Sequence, residues 1–144
     1  MNIQDQIRTK IRKLSMAPNE EFEVLFDQYI AIIINLISCS EELDGEFIDY
    51  SGVYQLTIDD IDFSFWFEIK NDKISYQKGL YEDPNIQFFI KKEILITILN
   101  LNSDATDAYM RGLIRAKGKL SYALRFRNII KIIIKYILHI TKGI

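Results

Sequence analysis

One cysteine, Cys39, and one histidine, His139, are all that the chain of 144 residues provides of either type. No disulfide can close within it, which suits a reducing compartment. No zinc site of the usual cysteine and histidine kinds can be assembled. Long apolar runs are lacking too. The longest uncharged run, QYIAIIINLISCS at 28–40, falls short of the ~20 residues a membrane-spanning helix needs. The Ile-rich stretch near the C-terminus is broken by Lys131 and Lys135. The first residues, MNIQDQIRTKIRKL, carry no apolar core and no small-residue cleavage site, so they are not expected to act as a secretory signal. A soluble, cytoplasmic protein is the expectation. No GxGxxG, Walker, GxSxG or HExxH pattern occurs, and no repeat or low-complexity tract is found. The chain is therefore expected not to be an enzyme and to need no cofactor and no metal.

What is present is an ordinary globular composition. Apolar residues make up 49% and charged residues 26%, enough to bury one core and too apolar for a disordered chain. The charges are unevenly spread. Between residues 14 and 69 there are thirteen acids and no Lys or Arg, and from residue 108 onward there are nine Lys or Arg and no acid. Either two solvated faces attract each other within the fold, or a basic C-terminal face meets an anionic partner such as a membrane surface. No RNP or GXXG stacking motif accompanies the cations, so nucleic acid is not an expected partner.

The periodicity divides the chain. Residues 4–14 repeat Ile3, Ile7, Ile11 and Leu14 at helical spacing, and residues 20–38 do the same with Phe22, Leu25, Phe26, Tyr29, Ile33 and Leu36. Asn19 is the expected N-cap, with acids in the first turn. After an acidic connection the period becomes two. Tyr54, Leu56 and Ile58 alternate, then Ile61, Phe63, Phe65, Phe67 and Ile69, then Ile74 and Tyr76. Asp59-Asp60 and Asn71-Asp72 are read as two-residue turns, giving an antiparallel meander. NIQFFIK supplies a fourth strand, and 91–101 returns to helical spacing. Ser103 is the expected cap of a short helix that Gly112 ends. Then come a short edge strand, LIRAK, and a long final helix after Gly118. The predicted fold is α+β, a mainly antiparallel sheet covered by helices.

Single chemical groups have bland readings. His139 is expected on a helix surface and Cys39 as a small buried hydrophobe. Asp59, Asp60 and Asp62 lack the Gly and Glu of a calcium loop and read as solvated turn acids. The Phe63, Phe65, Phe67 face admits two outcomes. The rings fill a core, or the helices close incompletely and the rings line a cavity.

The stretch DAYMRGLIRAKGKLSYAL resembles the C-terminal signature of the sterol carrier protein 2 (SCP2-like sterol-transfer) family. Tyr109-Met110 precede Gly112, Arg115 and Lys117 alternate with Ile114 and Ala116, and Gly118 opens a helix containing Leu120, Ala123 and Leu124. The preceding NIQFFIKKEILITIL is similar to the family's strand and following helix. The likeness runs from about residue 19 to 135. Leu113, Lys119, Ser121 and Leu124 depart from common family choices.

The resemblance implies a five-stranded sheet and an apolar tunnel for a fatty acyl, isoprenoid or sterol-like lipid. Its expected lining is Phe63, Phe65, Phe67, Tyr76, Phe88, Met110, Leu120 and Leu124. Arg115, Lys117, Arg125 and Arg127 are expected to meet an anionic membrane surface. Residues 1–18 are expected as an N-terminal helix and linker, and 19–144 as the lipid-binding domain. The alternative is an accessory domain of a lipid or quinone pathway with a filled cavity, in which the Ile-rich final helix mediates homodimer or partner contacts.

Overall fold

The alternation in FSFWFEIK sets the centre of the sheet. In the computed structural model, which describes residues 3–100 and 105–141, this segment is β2 (Phe63–Lys70). Phe63, Phe65 and Ile69 are buried on one face, and Ser64, Trp66 and Glu68 lie on the other. β1 (Gly52–Ile58) and β3 (Lys73–Lys78) flank it antiparallel. β4 (Ile86–Ile90) and β5 (Ile114–Gly118) complete a five-stranded sheet of order β3-β2-β1-β4-β5.

One pairing departs from a plain meander. β4 runs parallel to β1, so the sheet is mixed, though its other ladders are antiparallel. The chain after β3 returns across the outer face of the sheet. There Tyr81 N–H donates to Gln55 Oε1 at 2.7 Å, and the Tyr81 and Trp66 rings meet edge-on at 4.8 Å. Gln55 is buried by that crossing and satisfied by it.

The β2–β3 hairpin is as expected. Lys70 faces Lys73, and Asn71 and Asp72 both take positive φ, 52° and 65°, the signature of a tight two-residue turn. The β1–β2 turn is longer than expected. Ile58 pairs with Phe63, so residues 59–62 all lie in the turn, Ile61 included. Asp59 N–H is drawn to the Ile90 carbonyl, and Asp62 takes φ 53°.

Among the described residues, five α-helices cover the face that carries Tyr54, Leu56, Phe63, Phe65 and Phe88. They are α1 (Ile3–Met16), α2 (Asn19–Ser38), α3 (Lys92–Leu99), α4 (Ala105–Met110) and α5 (Leu120–Thr141). Pro18, not Asn19, holds the N-cap position of α2, with extended ψ. Asn19 begins the helix instead, and its Oδ1 accepts from Lys92 Nζ at 2.9 Å. Cys39 is exposed rather than buried. The buried stripe of α2 ends at Ile37, and two residues further a helix has turned roughly 200° away. The expected cap at Ser103 lies outside the described residues. α1 contributes Ile7 and Leu14 to the same core as the sheet.

Candidate functional site

The helices do not close fully on the sheet. A cavity of about 350 Å³ lies between them, within the ~300–1,000 Å³ of ligand sites. Its floor is Leu56, Phe65, Phe67, Phe88 and Ile90 from three strands. Phe26 and Ile30 of α2 form one wall, and Leu95, Ile98 and Leu99 of α3 another. α4 and α5 supply Met110, Leu120, Ala123, Leu124, Phe126 and Ile130. A second, smaller cavity of about 130 Å³ adjoins it, sharing Ile30, Phe67, Leu95, Ile98, Leu99, Phe126 and Ile130. Tyr29, Ile33, Ile37, Ile133 and Ile137 extend its lining.

Two glycines position the α4–β5–α5 side. Gly112 takes φ +78°. Its N–H donates to the Tyr109 carbonyl, and Leu113 N–H reaches the Ala108 carbonyl at 2.9 Å. That is the paired closure of a left-handed helix stop. It ends α4 abruptly and sends the chain into β5. At Gly118 a Cβ would stand 2.8 Å from the Asn85 carbonyl oxygen and 3.0 Å from Ile86 Cα. Only glycine lets the end of β5 lie that close to the start of β4 before α5 turns back over the cavity.

Six of the eight residues expected to line the cavity are brought together there: Phe65, Phe67, Phe88, Met110, Leu120 and Leu124. Met110, Leu120 and Leu124 are also exposed, at 79%, 65% and 43%. Residues that both line a cavity and face solvent mark its mouth. Phe63 and Tyr76 stand off the cavity. Phe63 is covered by Phe26, edge-on at 5.9 Å. Tyr76 packs on Phe65 and Phe67 and donates its hydroxyl to Asp27. Burial, then the bond to Asp27 and its charge, push the Tyr76 hydroxyl pKa well up.

The four cations expected at a membrane surface have different surroundings. Arg115 and Lys117 share a parity on β5 opposite to the cavity-side Ile114 and Ala116. Arg115 lies over the Phe89 ring at 5.1 Å and pairs with Asp59 at 3.3 Å. Arg125 lies over Tyr122 at 4.6 Å and reaches the Ser51 carbonyl. Arg127 lines the cavity itself. The basic C-terminal stretch and the acidic stretch thus meet in part, through Arg115–Asp59.

Several cavity residues have no counterpart in the sequence reading. Leu95, Ile98 and Leu99 are visible in sequence as an apolar helix face, but not as a cavity wall. The Ile-rich part of α5 faces inward. Ile129 and Ile137 are buried, and Ile132, Ile133 and Ile140 pack on the core.

Polar chemistry is sparse. Among the described residues no cluster of His, Cys, Asp or Glu can hold a metal. The turn acids have separate duties: Asp59 pairs with Arg115, and Asp60 accepts from Lys92 N–H at 2.9 Å at the start of α3. His139 is exposed and 3.9 Å from Glu42. Among the described residues no helix is long and apolar enough to cross a membrane.

Comparison with known proteins agrees with this architecture. The family model of the SCP-2 sterol transfer family matches residues 33–131. No curated protein sequence matches the chain. Among solved structures, sterol carrier protein 2 like 2 from Aedes aegypti superposes with a TM-score of 0.56 at 19% identity, covering 71% of this chain and 93% of that one. The solution structure of the palmitated form of the Aedes aegypti protein gives 0.55 at 18% identity, over 70% and 89%. A ubiquinone synthesis protein, UbiJ-SCP2, gives 0.62 at 13% identity, over 78% and 98%. At such identities the structures speak to fold, and the family match covers most of the sequence. With its five-stranded sheet, helical cover and glycine-bracketed fifth strand, the chain belongs to the SCP-2 sterol transfer family.

Proposed function

We propose that the protein binds the apolar chain of a lipid in the cavity under α2, α3 and α5 and carries it without catalysing a reaction. The observation that carries this reading is the lining. Strand and helix residues around about 350 Å³ are aliphatic or aromatic nearly throughout, and the rim residues Met110, Leu120 and Leu124 are exposed. Exposed apolar groups beside an apolar cavity suit a ligand that arrives from a bilayer. The smaller apolar cavity lies against the same side chains, so a chain that displaces them would extend into it. The palmitated relative and the ubiquinone synthesis relative support a lipid or isoprenoid ligand. Residues 19–144 carry the site in this reading, and α1 seals the core behind it.

The energetics suit reversible carriage. Burying ~10 methylenes at ~0.8 kcal/mol each yields about 8 kcal/mol, which corresponds to a Kd near ~1 µM. Lys119, exposed and adjacent in sequence to the rim residue Leu120, would draw the rim to anionic lipid at roughly 1 kcal/mol.

Titration of delipidated protein with a fluorescent long-chain fatty acid tests the proposal. Saturable uptake at one site, displaced by an unlabelled lipid, is the expected result. No saturable uptake of any long-chain lipid would sink it.

A further inference from the structure

One residue in the cavity lining does not fit an all-apolar purpose. Arg127 projects from α5 into the lining of the larger cavity. Among the described residues its buried Nε meets no hydrogen-bond partner and no ion pair is found for it. A buried guanidinium donor left unsatisfied costs folding stability. An arginine stays charged at neutral pH and presents a planar fork of donors that fits a carboxylate.

Its position along α5 is informative. Leu120 and Leu124 stand at the mouth, Arg127 follows one turn inward, then Ile130, and then Ile133 and Ile137 in the smaller cavity. At ~1.5 Å per residue, Arg127 lies roughly 10 Å inward from Leu120, and Ile137 roughly 15 Å beyond Arg127. A head group held at Arg127 would leave its chain in the apolar space beyond. Thr106, on α4, also lines this cavity.

Resting on the lipid-binding reading above, we propose that Arg127 reads the head of the ligand and that the preferred ligand is a single-chain lipid carboxylate rather than a neutral lipid. One positive charge in the lining matches one negative charge. A phosphate monoester carries about −1.5 to −2, more than Arg127 alone balances.

The test compares palmitate with hexadecanol, which share a chain and differ in the charged head, by isothermal titration on delipidated wild-type, R127M and R127K proteins. The expected result is that wild type prefers palmitate by on the order of tenfold or more. R127M loses that preference while still binding hexadecanol, and R127K restores part of it. R127M is also expected to melt no lower than wild type, because it removes an unsatisfied buried donor. This melt separates lost recognition from lost folding. An equal affinity of wild type for the two ligands overturns the assignment, as does a palmitate preference retained in R127M. If wild type binds neither ligand, the lipid-binding reading itself fails, and the two failures are thereby distinguished.

Discussion

The Tyr76 hydroxyl donates to Asp27 Oδ1 at 2.5 Å across the seam between β3 and α2, and Lys78 Nζ approaches the other carboxylate oxygen at 3.1 Å. One acid thus anchors the edge strand to the helix that walls the cavity. A hydrogen bond to a charged group contributes about 1.5–3 kcal/mol. Tyr76→Phe removes it and leaves the Lys78 contact. The expected loss is about 1–2 kcal/mol in urea unfolding, at the low end because Asp27 is partly solvated.

Alkaline pH should unfold the protein through its tyrosines. Burial raises Tyr29 and Tyr54 to about 12, the latter against an opposing pull from Arg125, and raises Tyr76 further with help from Asp27. The unfolded tyrosines ionise near ~10. Above that value the unfolded chain releases protons that the folded chain retains, so stability falls as pH rises. Their contribution is fully present below about pH 10 and is lost as pH climbs toward the folded values. Thermal melts from pH 8 to 12 should be flat to about pH 10 and then decline. Tyr76→Phe should decline less steeply. A melting temperature constant to pH 12 contradicts the burial described.

Gly112 and Gly118 both take positive φ, but their surroundings differ. A Cβ at Gly112 meets nothing within 4 Å, whereas one at Gly118 meets the Asn85 carbonyl at 2.8 Å and Ile86 Cα at 3.0 Å. Gly112→Ala should cost about 1–2 kcal/mol, from the left-handed conformation alone. Gly118→Ala should cost about 2–4 kcal/mol, because backbone must move as well. Chemical denaturation of the two variants checks the order, and equal losses would contradict the close approach of β5 to β4.

Narrowing the cavity should separate binding from folding. Ala123 lines the cavity next to the rim residue Leu124. Ala123→Phe places a ring in open apolar space. Fatty-acid uptake should fall tenfold or more at ~1.4 kcal/mol per decade, with helix content by circular dichroism unchanged. Phe65 is a poorer probe. It is 1% exposed and its ring centroid lies 4.8 Å from that of Phe26, the two rings tilted by 43°, so a charge there would unfold the core.

Cys39 is exposed at the C-terminal end of α2. In the folded protein it should react with Ellman's reagent to one equivalent, with no denaturant and no lag. Reaction only after unfolding would contradict its placement.

Much of this architecture was legible in residue order. Strict alternation revealed β2, the turn-forming pair Asn71-Asp72 marked its hairpin, and Gly112 and Gly118 bracketed β5. The parallel placement of β4 was not legible. It depends on a crossing loop whose trace is three scattered residues, Gln55, Trp66 and Tyr81. Phe63 and Phe65 share parity and composition and both meet Phe26, so sequence could not tell which of the two would line the cavity. Arg127 and Arg125 are separated by the helical period alone. At 100° per residue Arg127 falls with Leu120, Ala123, Leu124 and Ile130, whereas Arg125 points the other way.

Native mass spectrometry of the protein as purified from cells, followed by organic extraction, tests the central claim most directly. The account predicts a bound species at one per chain that dissociates on delipidation and is identified as a long-chain lipid. A clean mass with no adduct, from protein that also takes up no added fatty acid, would contradict an open lipid-binding cavity.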